Sequence, residues 1–229
     1  MAISAQTILA SSIVGSDAPV GTVRDVIVEV DRWHIRYFVV DVGSRLRTRR
    51  LLLSPAAIER CDWLNYEIRV GLSRQQFERS PLTDAAWPLT RAQEAALAEH
   101  FGWPPYWVPG DQGAPARLEG LREMLGASVD AADGPLATVD DFVVEDQPAR
   151  PGAWEVQYLV LELRGWFQHK RVLLSPEWAL TADWKGRRVE VGLPASQIRE
   201  SPEFDPSEPV NRETEQRLYD YYGLPKSWA

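Results

Sequence analysis

At 229 residues, with 45% hydrophobic and 10% aromatic side chains, the chain is long enough for two cores of about 110 residues each, and its charged fraction of 25% is that of an ordinary globular protein. A formal net charge of −8 argues against a surface built to wrap nucleic acid, and one cysteine, Cys61, excludes an internal disulfide framework. No apolar run approaches the roughly 20 residues that span a bilayer, and no basic-then-apolar leader opens the chain, so the expectation is a soluble, cytoplasmic protein without a membrane span.

Taken in order, Thr22 to Asp31 is a Val-rich, β-branched run bounded by turn residues and reads as a strand. Trp33 to Val42 follows, with Ile35, Tyr37 and Val39 alternating onto one face, and Leu51 to Leu53 and Glu67 to Leu72 add short strands. Ser54-Pro55 predicts a helical turn, Ser as N-cap and Pro at the first position. Thr90 and Gln93 have capping-box spacing, and the helix they open runs through Leu97 to a stop at Gly102 and Pro104. Val108 to Pro115 is punctuated by Pro and Gly and reads as a linker. The same order then recurs: strands at Leu136 to Glu145 and Trp154 to Leu163, a Ser175-Pro176 turn, and a helix from Asn211 through Leu218 to Gly223.

The recurrence is collinear. Leu53-Ser54-Pro55 returns as Leu174-Ser175-Pro176, Asp62-Trp63 as Asp183-Trp184, Val70-Gly71-Leu72 as Val191-Gly192-Leu193 and Ser80-Pro81 as Ser201-Pro202, always 121 positions apart. Upstream, Asp17/Asp133, Pro19/Pro135, Thr22-Val23/Thr138-Val139 and Asp25/Asp141 are 116 apart. One five-residue insertion between Glu145 and Trp154 reconciles the two offsets. The chain is therefore a duplication: residues 1–108, a linker at 109–116, and residues 117–229. Several short strands at close spacing predict a mainly β fold with short helices, two tandem small barrels each followed by a C-terminal helix. Two such units on one chain are expected to pack as a pseudo-dimer.

Asp17-Ala-Pro-Val-Gly-Thr-Val-Arg-Asp-Val-Ile-Val28 and Asp133-Gly-Pro-Leu-Ala-Thr-Val-Asp-Asp-Phe-Val-Val144, with the Leu-Ser-Pro segments and the Tyr-Gly-Leu-Pro and Phe-Gly-Trp-Pro tails, resemble the PRC-barrel family. That family includes the cytoplasmic domain of the photosynthetic reaction-centre H subunit and the barrel of ribosome maturation factors. The resemblance implies tandem PRC-type barrels and, by analogy, association with a membrane or photosynthetic electron-transfer complex.

Chemistry-bearing residues form no catalytic constellation. His34, His100 and His169 align with Glu155, Tyr221 and Thr48, so no histidine recurs, and none stands at metal-ligand spacing. Cys61 aligns with Ala182 and reads as a packed, unreactive thiol. No glycine-rich phosphate cradle is present. The recurring Asp25/Asp141 and Asp62-Trp63/Asp183-Trp184 fit turn amides and barrel-end packing better than acid–base work. The expectation is a protein that is not an enzyme, with no cofactor and no metal.

What the copies do not share points to a partner. Arg45, Arg47, Arg49 and Arg50 form a basic strip on a hairpin, and of these only Arg49-Arg50 has a cationic counterpart, Lys170-Arg171. The shared pair fits charged protection of an edge strand; Arg45 and Arg47 are candidates for contact with an acidic partner. Trp166 and Phe167, at the equivalent tip, are candidate interface anchors. The tails rich in Trp and Tyr (Trp103, Tyr106, Trp107; Tyr219, Tyr221, Tyr222, Trp228) fit a cover over a barrel or the inter-repeat seam, with a ligand-stacking cage as the alternative. The resulting expectation is a non-catalytic protein-binding or scaffolding module. The alternative is an RNA- or ribosome-associated assembly factor that would use the Arg45–Arg50 strip.

Overall fold

The computed structural model describes residues 2–44, 47–81, 89–107, 116–146, 153–163, 170–208 and 210–223. The fold is mainly β, and no described helix is long and apolar enough to cross a membrane. In chain order the first copy runs β1 (Ala2–Ser4), α1 (Ala5–Leu9), β2 (Ser12–Val14), β3 (Pro19–Glu29), β4 (His34–Ser44), β5 (Arg47–Leu53), β6 (Ile58–Asp62), β7 (Glu67–Val70), α2 (Arg74–Glu78) and α3 (Arg91–Phe101). The second repeats the series as β8 (Leu118–Gly120), α4 (Leu121–Met124), β9 (Ser128–Ala131), β10 (Gly134–Asp146), β11 (Trp154–Leu163), β12 (Arg171–Leu174), β13 (Ala179–Asp183), β14 (Arg188–Val191), α5 (Ala195–Glu200) and α6 (Arg212–Tyr222).

The main strands follow from side-chain pattern. In β11 every second residue from Trp154 to Tyr158 is buried, after which Leu159, Val160 and Leu161 are buried in succession, as in a strand covered on both faces. Local signals set the helix ends. Thr90 and Gln93 form a reciprocal capping box, Asn211 accepts from the Thr214 amide at 3.0 Å, and Gly102 and Gly223 close α3 and α6 at φ of 70° and 65°. Of the expected linker, 109–116, residues 109–115 lie outside the described residues, as do residues 147–152 of the interval between Glu145 and Trp154 in which the five-residue insertion is expected.

Two compact units are present. The first comprises Gln6–Leu121 with Asp146–Glu155; the second comprises Met1–Ala5, Arg122–Glu145 and Val156–Ala229. In the first, β3 pairs antiparallel with β2, β4 and β8, β4 pairs with β5, and β2 runs parallel to β7, which pairs with β6. Its core holds Ile8, Ile13, Phe38, Leu51, Leu53, Ile68, Phe77 and Leu97, all but fully buried. The second unit repeats these pairings: β10 with β9 and β1, β11 with β12, and β14 parallel to β9 and antiparallel to β13. Val143, Tyr158, Val160, Leu173, Leu218 and Tyr222 form one cluster of its core.

The short opening strands are exchanged between the copies. β1, from the start of the first copy, pairs with Val143–Glu145 of the second unit, and β8, from the start of the second copy, pairs with Ile27–Glu29 of the first. The registers are equivalent residue for residue. Ala2, Ile3 and Ser4 face Glu145, Val144 and Val143, while Leu118, Glu119 and Gly120 face Glu29, Val28 and Ile27. The recurring carboxylates lie beneath these strands. Asp25 and Asp141 each accept the next residue's amide, from Val26 and Phe142, at 2.8 Å. Asp141 also accepts the Ser4 hydroxyl, whereas the position equivalent to Ser4 is Gly120, where an added Cβ would lie 2.6 Å from Asp25 Oδ2.

The Ser4 hydroxyl donates to the buried Asp141 carboxylate, and its loss removes that hydrogen bond. Ser4→Ala should therefore destabilise the protein by about 1–3 kcal/mol. In hydrogen exchange the loss of protection should centre on Ala2–Ser4 and Val143–Glu145, a pattern that unfolding midpoints alone would not give.

Candidate functional site

In the first unit a polar cluster lies where α3 and the segment after it meet β4. Glu94 is on the first turn of α3 and is only 1% exposed. Its carboxylate accepts hydrogen bonds from Tyr37 Oη at 3.1 Å, Tyr106 Oη at 2.6 Å and Arg91 Nη1 at 3.0 Å. A buried carboxylate held by one guanidinium and two phenols is fully compensated and fixes the helix against the strand. Burial, reinforced by the neighbouring Glu94 charge, raises the Tyr37 phenol far above its ordinary range, and burial likewise raises Tyr106. Both phenols therefore stay protonated, as hydrogen-bond donors must.

Around this cluster the aromatic tail stacks on cations. The Arg36 guanidinium lies 4.2 Å from the Tyr106 ring centre, and that of Arg91 lies 4.5 Å from the Trp107 ring centre. Arg36 donates from Nε to Glu29 at 2.8 Å and forms a closer contact through Nη2; His34 pairs with Glu155 at 3.4 Å. Trp103 stacks on Phe101 with ring centres 4.3 Å apart. Between β4, the Ser54–Ala56 turn, α3 and Trp103–Trp107 lies an open cleft of about 220 Å³.

The second unit carries the same motif in altered form. Tyr158 and Glu215 stand 121 positions after Tyr37 and Glu94, and they too are hydrogen-bonded; Tyr158 also bonds Tyr219. Arg91 recurs as Arg212, but Arg36 is replaced by Gln157. Burial and the neighbouring Glu145 carboxylate push the Glu215 carboxyl upward, opposed by Arg212 and by the Tyr158 hydrogen bond. The Tyr–Glu pair recurs in the sequence at the 121 spacing, yet a Glu on the first turn of a charged helix reads as solvated until its burial is seen.

Other recurring polar residues also hold the framework. Asp17 accepts the Arg74 amide at 2.8 Å and Asp133 the Ala195 amide at 2.7 Å, so equivalent carboxylates cap the first residues of α2 and α5. Asp62 accepts the Asn65 amide at 3.3 Å and Asp183 the Gly186 amide at 2.9 Å, which is the turn role expected of them. Trp184 is buried, and Trp63 lies edge-on to Trp154 with ring centres 6.0 Å apart. Cys61 is half-buried; burial, aided by the Asp146 charge, pushes its thiol up to about 12, which suppresses the reactive thiolate.

The candidate partner-binding residues fall in different places. Arg45, Trp166 and Phe167 lie outside the described residues, as does the side chain of Arg47. Arg49 and Arg50 are exposed. Arg49 donates to the Glu78 carbonyl at 3.1 Å, and its counterpart Lys170 donates to the carbonyls of Arg199 and Ser201 at 2.7 Å each. Glu78 and Arg199 are 121 positions apart, so the shared cation caps the C-terminal end of α2 and of α5. Arg50 pairs with Asp41 at 3.7 Å and Arg171 with Asp140 at 2.6 Å. Among the described residues no group of His, Cys, Asp and Glu could hold a metal ion. Compared with models of known families and with curated proteins, the chain matches none.

The two helix anchors should respond differently to substitution. Glu94→Ala strips the buried Tyr37 phenol and the half-buried Tyr106 phenol and Arg91 guanidinium of their acceptor and should cost about 3 kcal/mol in denaturant unfolding, whereas Glu215→Ala, at a half-exposed position, should cost much less. The Glu215 carboxyl is raised in the folded state, so ionising it as pH climbs from its unfolded pKa through its folded one removes stability. Glu215→Gln should accordingly raise the melting temperature at pH 7 and leave it unchanged near pH 4.

Proposed function

We propose that this chain is a tandem PRC-barrel protein acting as a non-catalytic module that binds or scaffolds another protein. One observation carries the reading. The recurring carboxylates that could have served acid–base chemistry are engaged in framework contacts: Asp17 and Asp133 at helix starts, Asp25 and Asp141 beneath exchanged strands, Asp62 and Asp183 in turns, Glu94 and Glu215 at helix anchors. A duplication that preserves only scaffold contacts leaves function to surfaces the copies do not share. The mainly β fold, with its two equivalent sets of strand pairings, is consistent with the resemblance of Asp17–Val28 and Asp133–Val144 to that family.

Several surface features fit a protein partner. The net charge falls mainly on the second copy, −7 over residues 116–229 against −1 over residues 1–115, which disfavours a polyanion as the main ligand. Arg49 and Arg50 have partners within the protein, and Arg45 and Arg47 are the arginines of the strip that the second copy does not share. By family analogy the partner belongs to a membrane or electron-transfer complex.

Affinity capture with the full chain tests this. The expected result is a protein that co-purifies in stoichiometric amount from the soluble or the membrane fraction of the source cells, unaffected by nuclease. Retention of RNA instead, weakened by salt and lost in Arg45→Ala/Arg47→Ala, would replace the protein-binding reading with the RNA-associated one.

A further inference from the structure

We infer that the outer edge of β13 in the second unit takes up an extended, lysine- or arginine-bearing segment of a partner protein as an added β-strand. This rests on the protein-binding reading above and names where on the chain, and to what chemistry, the binding occurs.

The edge itself sets the occupant's conformation. β13 pairs antiparallel with β14, and among the described residues no strand pairs with its other side. Beyond a bulge at Leu180, residues Thr181, Ala182 and Asp183 run in register with Glu190, Val189 and Arg188. In such a ladder alternate residues direct both amide and carbonyl away from the paired strand, and an extended backbone is what matches that row. Three positions suffice in this fold, because β1 and β8 are each held on a long strand by three residues.

Comparison of the copies shows which edge is open to pairing. Exposed edges are ordinarily guarded by charge. The equivalent strand of the first copy, β6, carries the exposed Glu59 and Arg60 at its bulge. β13 has Leu180 and Thr181 at those positions, and Leu180 is 72% exposed. Both bulge side chains lean over equivalent glycines. A Cβ added at Gly71 would meet Glu59 Oε1 at 2.6 Å, and one at Gly192 would meet Leu180 Cδ1 at 3.2 Å. The placement is common to both copies; the guarding charges are present in the first alone.

Charge selects the side chains of the added strand. Beside Leu180 a recess of about 360 Å³ is bounded by Asp130, Arg188 and Glu190. Arg188 pairs with Asp130 at 2.7 Å and lies 3.7 Å from Glu190, which also accepts the Thr181 hydroxyl at 3.1 Å. Two carboxylates here share one guanidinium. The first copy has Val14, Glu67 and Arg69 at these positions, with Arg69 and Glu67 paired at 3.0 Å. A cationic side chain is therefore the complement of the second copy's set. The charge of −7 over residues 116–229 extends that preference and disfavours a second copy of this chain as occupant, since paired edges would bring like carboxylates together.

Amide hydrogen exchange of the full chain, with and without a blocked Lys-Val-Lys-Val-Lys-Val-Lys peptide, tests the assignment; the Glu-Val peptide of equal length is the control. Saturable binding, slowed exchange within Thr181–Asp183 and none on β6 are expected, with the control at least about tenfold weaker. Leu180→Glu/Thr181→Arg installs the residues of the first copy without changing net charge, and should weaken binding about tenfold or more. Glu190→Gln should weaken it about threefold. Absence of protection on β13, equal protection on β6, equal binding of the control, or unchanged affinity in the double variant would overturn the site. Self-association that protects β13 without peptide would also overturn it, in favour of a second copy. Should the double variant fail to fold, the protection pattern of the unaltered chain decides. A captured partner that the folded double variant still holds at full strength would overturn this site while leaving the binding-module reading intact.

Discussion

The structure depends on a three-residue strand pairing made twice. Each unit completes its central antiparallel strand with a segment taken from the start of the other copy: β1 on β10, and β8 on β3, in matching register. Backbone amides and carbonyls at the buried end of a long strand must find partners, and three ladder positions supply them. The recurring Asp25 and Asp141 sit at this point. Asp141 is close enough to accept the Ser4 hydroxyl, and Asp25 crowds the position of Gly120 so closely that any side chain there would have to displace it. The boundary of each unit is therefore set by where a strand pairs, and neither copy of the sequence is by itself the folded unit.

Outward from that pairing, the duplicated polar residues form an ordered set of local ties. Asp17 and Asp133 hold the first turns of α2 and α5, Arg49 and Lys170 hold their ends, and Glu94 and Glu215 dock the closing helices on Tyr37 and Tyr158. Each tie joins residues far apart in sequence to a helix terminus or a helix face. Short helices of 5 or 6 residues, such as α2 and α5, have little intrinsic stability, so capping groups reaching in from other elements decide whether they form. That accounts for why these polar positions recur in both copies alongside hydrophobic ones such as Leu53/Leu174 and Val70/Val191.

Much of this was legible in the sequence, and the reasons for the remainder are physical. β11 was readable to its end residues because its apolar residues alternate from Trp154 to Tyr158 and then run on continuously to Leu161, and α3 because Thr90, Gln93 and Gly102 carry its start and stop signals locally. The exchanged strands were not readable. Ala2-Ile-Ser4 and Leu118-Glu-Gly120 share no residue and are too short to show a period, and which sheet a strand joins is a tertiary choice. Asp17/Asp133 could be seen to recur, but the amides they cap lie 57 and 62 residues away. Arg49 and Lys170 read as surface charge at an edge, since nothing local shows that a helix end lies within reach. Glu94 was overlooked because a glutamate beside Arg91 on a helix looks like a solvated ion pair; only the fold buries it.

The same comparison separates the copies where the scaffold does not constrain them. In the first unit Arg36 neutralises Glu29 and stacks on Tyr106, so the rings after α3 lie against a surface without net charge. In the second, Gln157 stands in place of Arg36, Glu145 stands where Glu29 does, and the Glu215 carboxyl is raised by burial and by Glu145. One cation beside the helix anchor of the first unit, Arg36, thus has no cationic equivalent in the second. Within a duplicated fold such a change costs the scaffold little, because the Tyr–Glu hydrogen bond survives in both units. It alters the charge carried beside the anchor in each unit. The duplication thereby permits two different surfaces on one kind of framework, with the difference set by side chains the framework does not require.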